Sequence, residues 1–134
     1  SRVGAIVMGR RTYTWIREHA ATWPYGDVPA YVVSSTLPEG RTEHVTVTPG
    51  PLTELAVDLR DGEGRVWLVG GGRLFAGFAA ADLVDLWVIT VVPVLLGSGV
   101  PLFPSVADSY ARLQLVETRT LPGDCVQLHY RPRR

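Results

Sequence analysis

The stretch Val66-Trp67-Leu68-Val69-Gly70-Gly71-Gly72-Arg73-Leu74-Phe75 restricts the fold more than any other part of the chain. Four consecutive apolar side chains, two of them β-branched, read as a strand buried on both faces, the kind found inside a parallel sheet covered by helices. Three glycines end it, and a helical spacing of apolar residues, Leu74, Phe75 and Phe78, starts at once. Glycine lets the main chain turn at positive φ and lets another group approach the backbone closely. A strand, a bare turn and a helix N-terminus in succession leave several N–H groups without partners. With Arg73 beside them they suit a phosphate or pyrophosphate. The same triplet also suits a tight turn that binds nothing.

A related unit opens the chain. Ala5-Ile6-Val7-Met8 is a short apolar strand that ends on Gly9 and leads into Arg10, Arg11 and Thr12. A helix then runs to about Ala20, with Tyr13, Ile16 and Ala20 on one face and Trp15 and His19 on the neighbouring one. Two guanidiniums and a hydroxyl at a helix start suit phosphate oxygens, although a solvated basic turn would carry the same residues. Beyond the turn-rich segment Trp23 to Pro29, the strand Tyr31-Val32-Val33 ends in Ser34, Ser35 and Thr36. Hydroxyls at the carboxyl end of a buried strand stand where open α/β sheets bind ligands. No acidic residue lies between Val33 and Glu39. An NAD site usually sets an acid near the ribose 2′-hydroxyl, whereas hydroxyls beside Arg10 suit a 2′-phosphate.

The remaining segments complete an alternating pattern. Val45-Thr46-Val47 reads as a strand, and Pro49-Gly50-Pro51 as a turn that sets proline at the first position of a helix carrying Leu52, Leu55, Ala56 and Leu59 on one side. Asp61 to Gly64 ends that helix. Leu86 to Val92 gives the strongest strand signal and is limited by Pro93. Leu95 to Phe103 is a flexible apolar loop. Leu113 to Thr118 and Cys125 to Tyr130 alternate in character across a Leu121-to-Asp124 turn, which predicts an antiparallel hairpin at the edge of the sheet. Arg131 to Arg134 reads as a solvated end. The expectation is a single α/β domain over residues 1–134, three-layered, with a mostly parallel sheet covered by helices on both faces.

Composition narrows the function classes. Thirteen basic residues balance thirteen acidic ones, so no global field points to nucleic acid or a membrane surface, and an anionic ligand must be held locally. The longest apolar run is too short and too interrupted to cross a bilayer. A lone Cys125 excludes an internal disulfide framework and, without a secretory pattern, points to the cytoplasm. The three histidines lack ligand spacing, so no metal is expected. No Gly-x-Ser-x-Gly elbow, Walker A motif or Gly-x-Gly-x-x-Gly fingerprint occurs.

Three segments taken together, Val7-Met8-Gly9-Arg10-Arg11-Thr12-Tyr13, Val32-Val33-Ser34-Ser35 and Val69-Gly70-Gly71-Gly72-Arg73-Leu74-Phe75, resemble the dihydrofolate reductase fold. Asp82 to Asp85 followed by Pro93 to Phe103 is similar to the branch typified by the reductase domain of the bifunctional riboflavin-biosynthesis deaminase/reductase. The resemblance implies NADPH as cofactor. Arg10, Ser34 and Ser35 would hold its 2′-phosphate, and Arg11 and Thr12 would meet its pyrophosphate. Backbone N–H groups of Gly71, Gly72, Arg73 and Leu74 would meet the pyrophosphate too, in a cofactor-binding loop that opens with a cis Gly70-Gly71 peptide. Trp15 and Ile16 match positions facing a small-molecule substrate. Phe75 stands where many dihydrofolate reductases have a tyrosine, so no hydroxyl is placed near the nicotinamide.

The implied activity is hydride transfer to a pyrimidine, pterin-like or ribosylamino heterocycle, as in 5-amino-6-(5-phosphoribosylamino)uracil reductase. The alternatives are a true dihydrofolate reductase, disfavoured by Phe75 and the Pro93-to-Phe103 loop, and a non-catalytic nucleotide-binding or structural subunit. A homodimer is expected from the apolar loop and the edge hairpin. The family normally begins with a further strand and helix bearing a substrate-side carboxylate, and this chain starts almost on the Gly-Arg-x-Thr segment. The expectation is therefore of an incomplete N-terminus, with the proton donor outside the sequence in hand. It is further expected that the strands Ala5–Met8 and Val66–Val69 are neighbours whose glycine ends point the same way.

Overall fold

The structure, a computed structural model, describes residues 2–102 and 112–133. Its centre is β1 (Val3–Gly9), whose Ala5, Ile6, Val7 and Met8 are all buried. They are buried because β1 has a strand on each side and helices on both faces. In the five-stranded sheet the order is β3 (Gly40–Arg41), β4 (Val45–Thr48), β2 (Ala30–Val33), β1, β5 (Arg65–Gly70). Every pairing in it is parallel except β3 with β4. β3, a short edge piece, has no counterpart in the sequence reading.

The period of two along β1 divides the core between two layers. Ile6 and Met8 point to α1 (Arg10–His19), meeting Tyr13, Ile16, Val32 and Val47. Val7 points the other way, to Leu55 and Ala56 of α2 (Leu52–Arg60) and Leu74 and Phe78 of α3 (Gly72–Ala80). The three layers expected from the sequence are therefore present. Pro51 is the N-cap of α2 rather than its first helical residue.

Two expectations need correction. The strand buried on both faces is β1, not β5: Trp67 is 57% exposed, because β5 ends its sheet and has a strand on one side only. The C-terminal hairpin, β7 (Leu113–Leu121) and β8 (Cys125–Pro132), does not extend the parallel sheet. It joins β6 (Trp87–Val91) in a separate antiparallel sheet ordered β6-β8-β7. The two sheets are bridged by side chains. The Phe75 ring meets that of Trp87 edge-on at 6.4 Å, and Arg60 at the end of α2 donates to the Leu83 carbonyl (3.2 Å) and the Asp85 carboxylate (3.4 Å). Past β6 the apolar loop stands out from the fold, with Leu95 and Val100 wholly exposed. Phe103, at its end, lies outside the described residues.

Candidate functional site

Parallel pairing brings the three conspicuous segments together. Gly9 is level with Val33 on one side, and Met8 is level with Gly70 on the other. Arg10 therefore leaves β1 beside Ser34, while Gly9 faces the glycine turn. A Cβ on Gly9 would lie 3.7 Å from the Gly70 carbonyl oxygen and 3.8 Å from the Gly71 nitrogen. Gly9 and Gly71 are the N-caps of α1 and α3, so two helix starts converge at the carboxyl ends of adjacent strands. The strands from Ala5 and from Val66 are parallel neighbours with their glycine ends on the same side, as expected.

Neither helix start is neutralised by its own sequence. Among the described residues no side chain caps α1 or α3, and neither has an acid in its first turn, whereas α2 carries Glu54 there. The first N–H groups of a helix have no partner within it. That leaves Arg10, Arg11 and Thr12 at one start and Gly72, Arg73 and Leu74 at the other. The Phe75 N–H is already taken by the Gly71 carbonyl at 3.1 Å. Arg10, Arg11 and Arg73 are exposed, and none has an ion pair among the described residues. Two positive helix ends and three uncommitted guanidiniums form a concentrated demand for anionic oxygen.

The remaining residues singled out from the sequence have distinct placements. Ser34 is buried, and its Oγ accepts the N–H groups of Thr36 (3.2 Å) and Leu37 (3.1 Å) and lies 3.2 Å from Thr36 Oγ1. Its own N–H donates to the Thr48 carbonyl at 2.9 Å. Ser34 thus fixes the turn, and Ser35 is the hydroxyl the turn presents to solvent. Thr12 Oγ1 lies 3.1 Å from where a Gly70 side chain would begin. The Gly70-Gly71 peptide is cis. Leu74 is buried in the α2–α3 layer and offers only its main chain, while the Phe75 ring is committed to Trp87.

Trp15 and Ile16 are not brought to the glycine turns. Ile16 is a core residue. Trp15 is 59% exposed one turn further along α1, its ring stacked on His19 at 4.5 Å. Thr48 is a further hydroxyl residue at this sheet end that the sequence reading gave no role. The available signal was its place at the close of a parallel strand. Two cavities, of about 350 and 470 Å³, lie elsewhere and share Trp23, Glu43 and His44. The second is lined by Ala30 and Val45, the first residues of β2 and β4, so it opens at the strand-start end. At the helix starts Arg10, Arg11, Gly71 and Arg73 are all exposed.

Comparison with known proteins bears on this geometry. A family described as the RibD C-terminal domain matches residues 1–127. The Bacillus subtilis protein YwjB is 34% identical over 129 residues, a match covering 96% of this chain and 73% of that protein. Among solved structures, a protein from Shewanella sp. PV-4 assigned to riboflavin biosynthesis superposes with a TM-score of 0.85 at 32% identity, covering 99% of this chain and 76% of that one. A pyrimidine reductase-like protein from Corynebacterium diphtheriae superposes with a TM-score of 0.70 at 17% identity, covering 98% and 77%. That second likeness concerns the fold alone.

Proposed function

Because the chain belongs to the RibD C-terminal domain family, whose fold is that of a reductase, we propose that it binds NADPH and reduces a pyrimidine, pterin-like or ribosylamino heterocycle. The observation that carries the reading is the convergence of two uncapped helix starts beside three arginines that have no ion pair among the described residues. This donor set fits the cofactor. The groups along the groove are N–H donors and cations, which match two linked phosphates and a 2′-phosphate and match no cationic or apolar ligand.

Arg11, Thr12 and the N–H groups of Gly72, Arg73 and Leu74 then hold the pyrophosphate. Arg10 and Ser35 hold the 2′-phosphate, on a turn whose shape Ser34 maintains. When bound, NADPH supplies the hydride; the protein's part is to bind, orient and exclude competing geometries. The absence of an acid between Val33 and Glu39 removes the group that would favour a free ribose 2′-hydroxyl.

Cofactor choice tests the reading. A charge-assisted hydrogen bond contributes about 1.5 to 3 kcal/mol, so two contacts to the 2′-phosphate favour NADPH over NADH by on the order of a hundredfold. Calorimetry should show that preference in the unmodified protein and its near loss in Arg10→Ala. Equal affinity of the unmodified protein for the two nucleotides would refute the assignment. NADPH oxidation on adding a ribosylaminopyrimidine or a pterin tests turnover separately.

A further inference from the structure

Arg112, Arg131 and Arg133 share one face of the β7–β8 hairpin. The ladder pairs Leu113 with Pro132 and Gln114 with Arg131, and the Arg133 N–H donates to the Arg112 carbonyl at 2.9 Å. This last bond extends the pairing by one step and sets Arg112 opposite Arg133. Side chains alternate across a strand, and at this end of the hairpin, over residues 112–114 and 131–133, exposure follows that alternation. Arg112, Gln114, Arg131 and Arg133 are exposed, while Leu113 and Pro132 between them are half-buried. Cross-strand neighbours stand about 5 Å apart and alternate residues on one strand about 7 Å, so the three guanidiniums reach a common point above the sheet.

Such an arrangement works against the hairpin unless something anionic occupies it. Like charges directly opposite one another destabilise a strand pair. None of the three arginines has an ion pair among the described residues. The same hairpin does pair its charges elsewhere: Arg119 donates to Glu117 at 2.9 Å and holds that carboxyl below its usual range. Across the whole chain basic and acidic residues balance, yet from Arg112 onward five arginines stand against two acids, Glu117 and Asp124.

We propose that this end of the hairpin is a second anion site, which takes a small phosphate-bearing ligand. Planar guanidinium forks match phosphate oxygens bidentately, and the Gln114 amide adds a neutral donor. Three cations on a patch two residues wide match one or two phosphates better than an extended polyanion. The site is separate from the helix starts. Trp87, which opens β6, is level with Tyr130, and Asp85 just before it is tied to Arg60 at the end of α2, close to where β5 begins. The arginine end therefore lies on the strand-start side, away from Gly70 and Gly71.

The test is a titration of the isotope-labelled full chain with pyrophosphate at fixed ionic strength, read residue by residue by NMR. Saturable shifts are expected at Arg112, Gln114, Arg131 and Arg133, with affinity there unchanged by Arg10→Ala. The double variant Arg112→Gln, Arg133→Gln should bind at this site at least about tenfold more weakly and melt at a higher temperature in phosphate-free buffer, since the opposed charges are gone. Shifts that rise without saturation, that chloride reproduces, or that survive the double variant would overturn the proposal. So would shifts confined to the helix starts, which would assign all phosphate binding to the first site.

Discussion

At the scale of single residues the two glycines of the β5–α3 turn do different work. Gly70 has φ of +151°, and a side chain there would start 3.1 Å from Thr12 Oγ1. Gly71 has the extended angles −103° and −162°, and its nearest obstruction to a side chain is Thr12 Oγ1 at 3.9 Å. Gly70→Ala should therefore cost stability, about 1 to 3 kcal/mol for a residue held in a sparsely populated backbone region. Gly71→Ala should keep a melting temperature close to that of the unmodified protein while losing cofactor affinity, because its methyl would occupy the groove beside the helix-start N–H groups. Thermal denaturation and calorimetry on the two variants decide the matter. Equal destabilisation of both, or full affinity in Gly71→Ala, would contradict the division.

At the scale of elements, the turn after β2 separates shaping from presenting. Ser34→Ala leaves the Thr36 and Leu37 N–H groups without their acceptor, at a cost of about 1 to 3 kcal/mol. Ser35→Ala removes an exposed hydroxyl and should leave stability unchanged while lowering preference for the 2′-phosphate. Denaturant unfolding paired with NADPH and NADH titrations would expose the reverse pattern if the roles were exchanged. The sequence shows a hydroxyl-rich turn at a strand end, but not which hydroxyl the backbone consumes, since that depends on the turn's closure. Strands pose the same difficulty. Ala5 to Met8 and Val66 to Val69 read alike as apolar runs, yet only the first has strands on both sides, and burial is set by neighbours. The alternation in Leu113–Thr118 and Cys125–Tyr130 announces an antiparallel pair without revealing that β6 is its third strand. Strand-glycine-helix units are legible because glycine, cation and apolar period lie within a dozen consecutive residues.

At the scale of the whole molecule, β5 and β6 each end a sheet among the described residues, and the two sheets meet through side chains, Trp87 on Phe75 and on the core cluster around Val7, and Arg60 on Leu83 and Asp85, rather than through a ladder. Trp67 on β5 and Val88 on β6 are correspondingly exposed, the condition in which an edge strand accepts a further strand. The helix-start site draws on β2, β1 and β5, which adjoin in space yet are separated along the chain by a helix or a longer excursion. Parallel strands close their loops before any pairing rewards them, so no fragment of this chain can form the groove in advance. A nucleotide seated there acts as a clamp on the complete five-stranded sheet and opposes its cooperative opening. At a hundred times the dissociation constant that opposition is about 2.7 kcal/mol. Hydrogen exchange should show it as slower exchange of the deepest amides, Val7 and Met8, in proportion to the rise in global stability. Protection confined to the amides of Gly72 to Leu74 would mean instead that the groove forms and dissolves independently of the sheet beneath it.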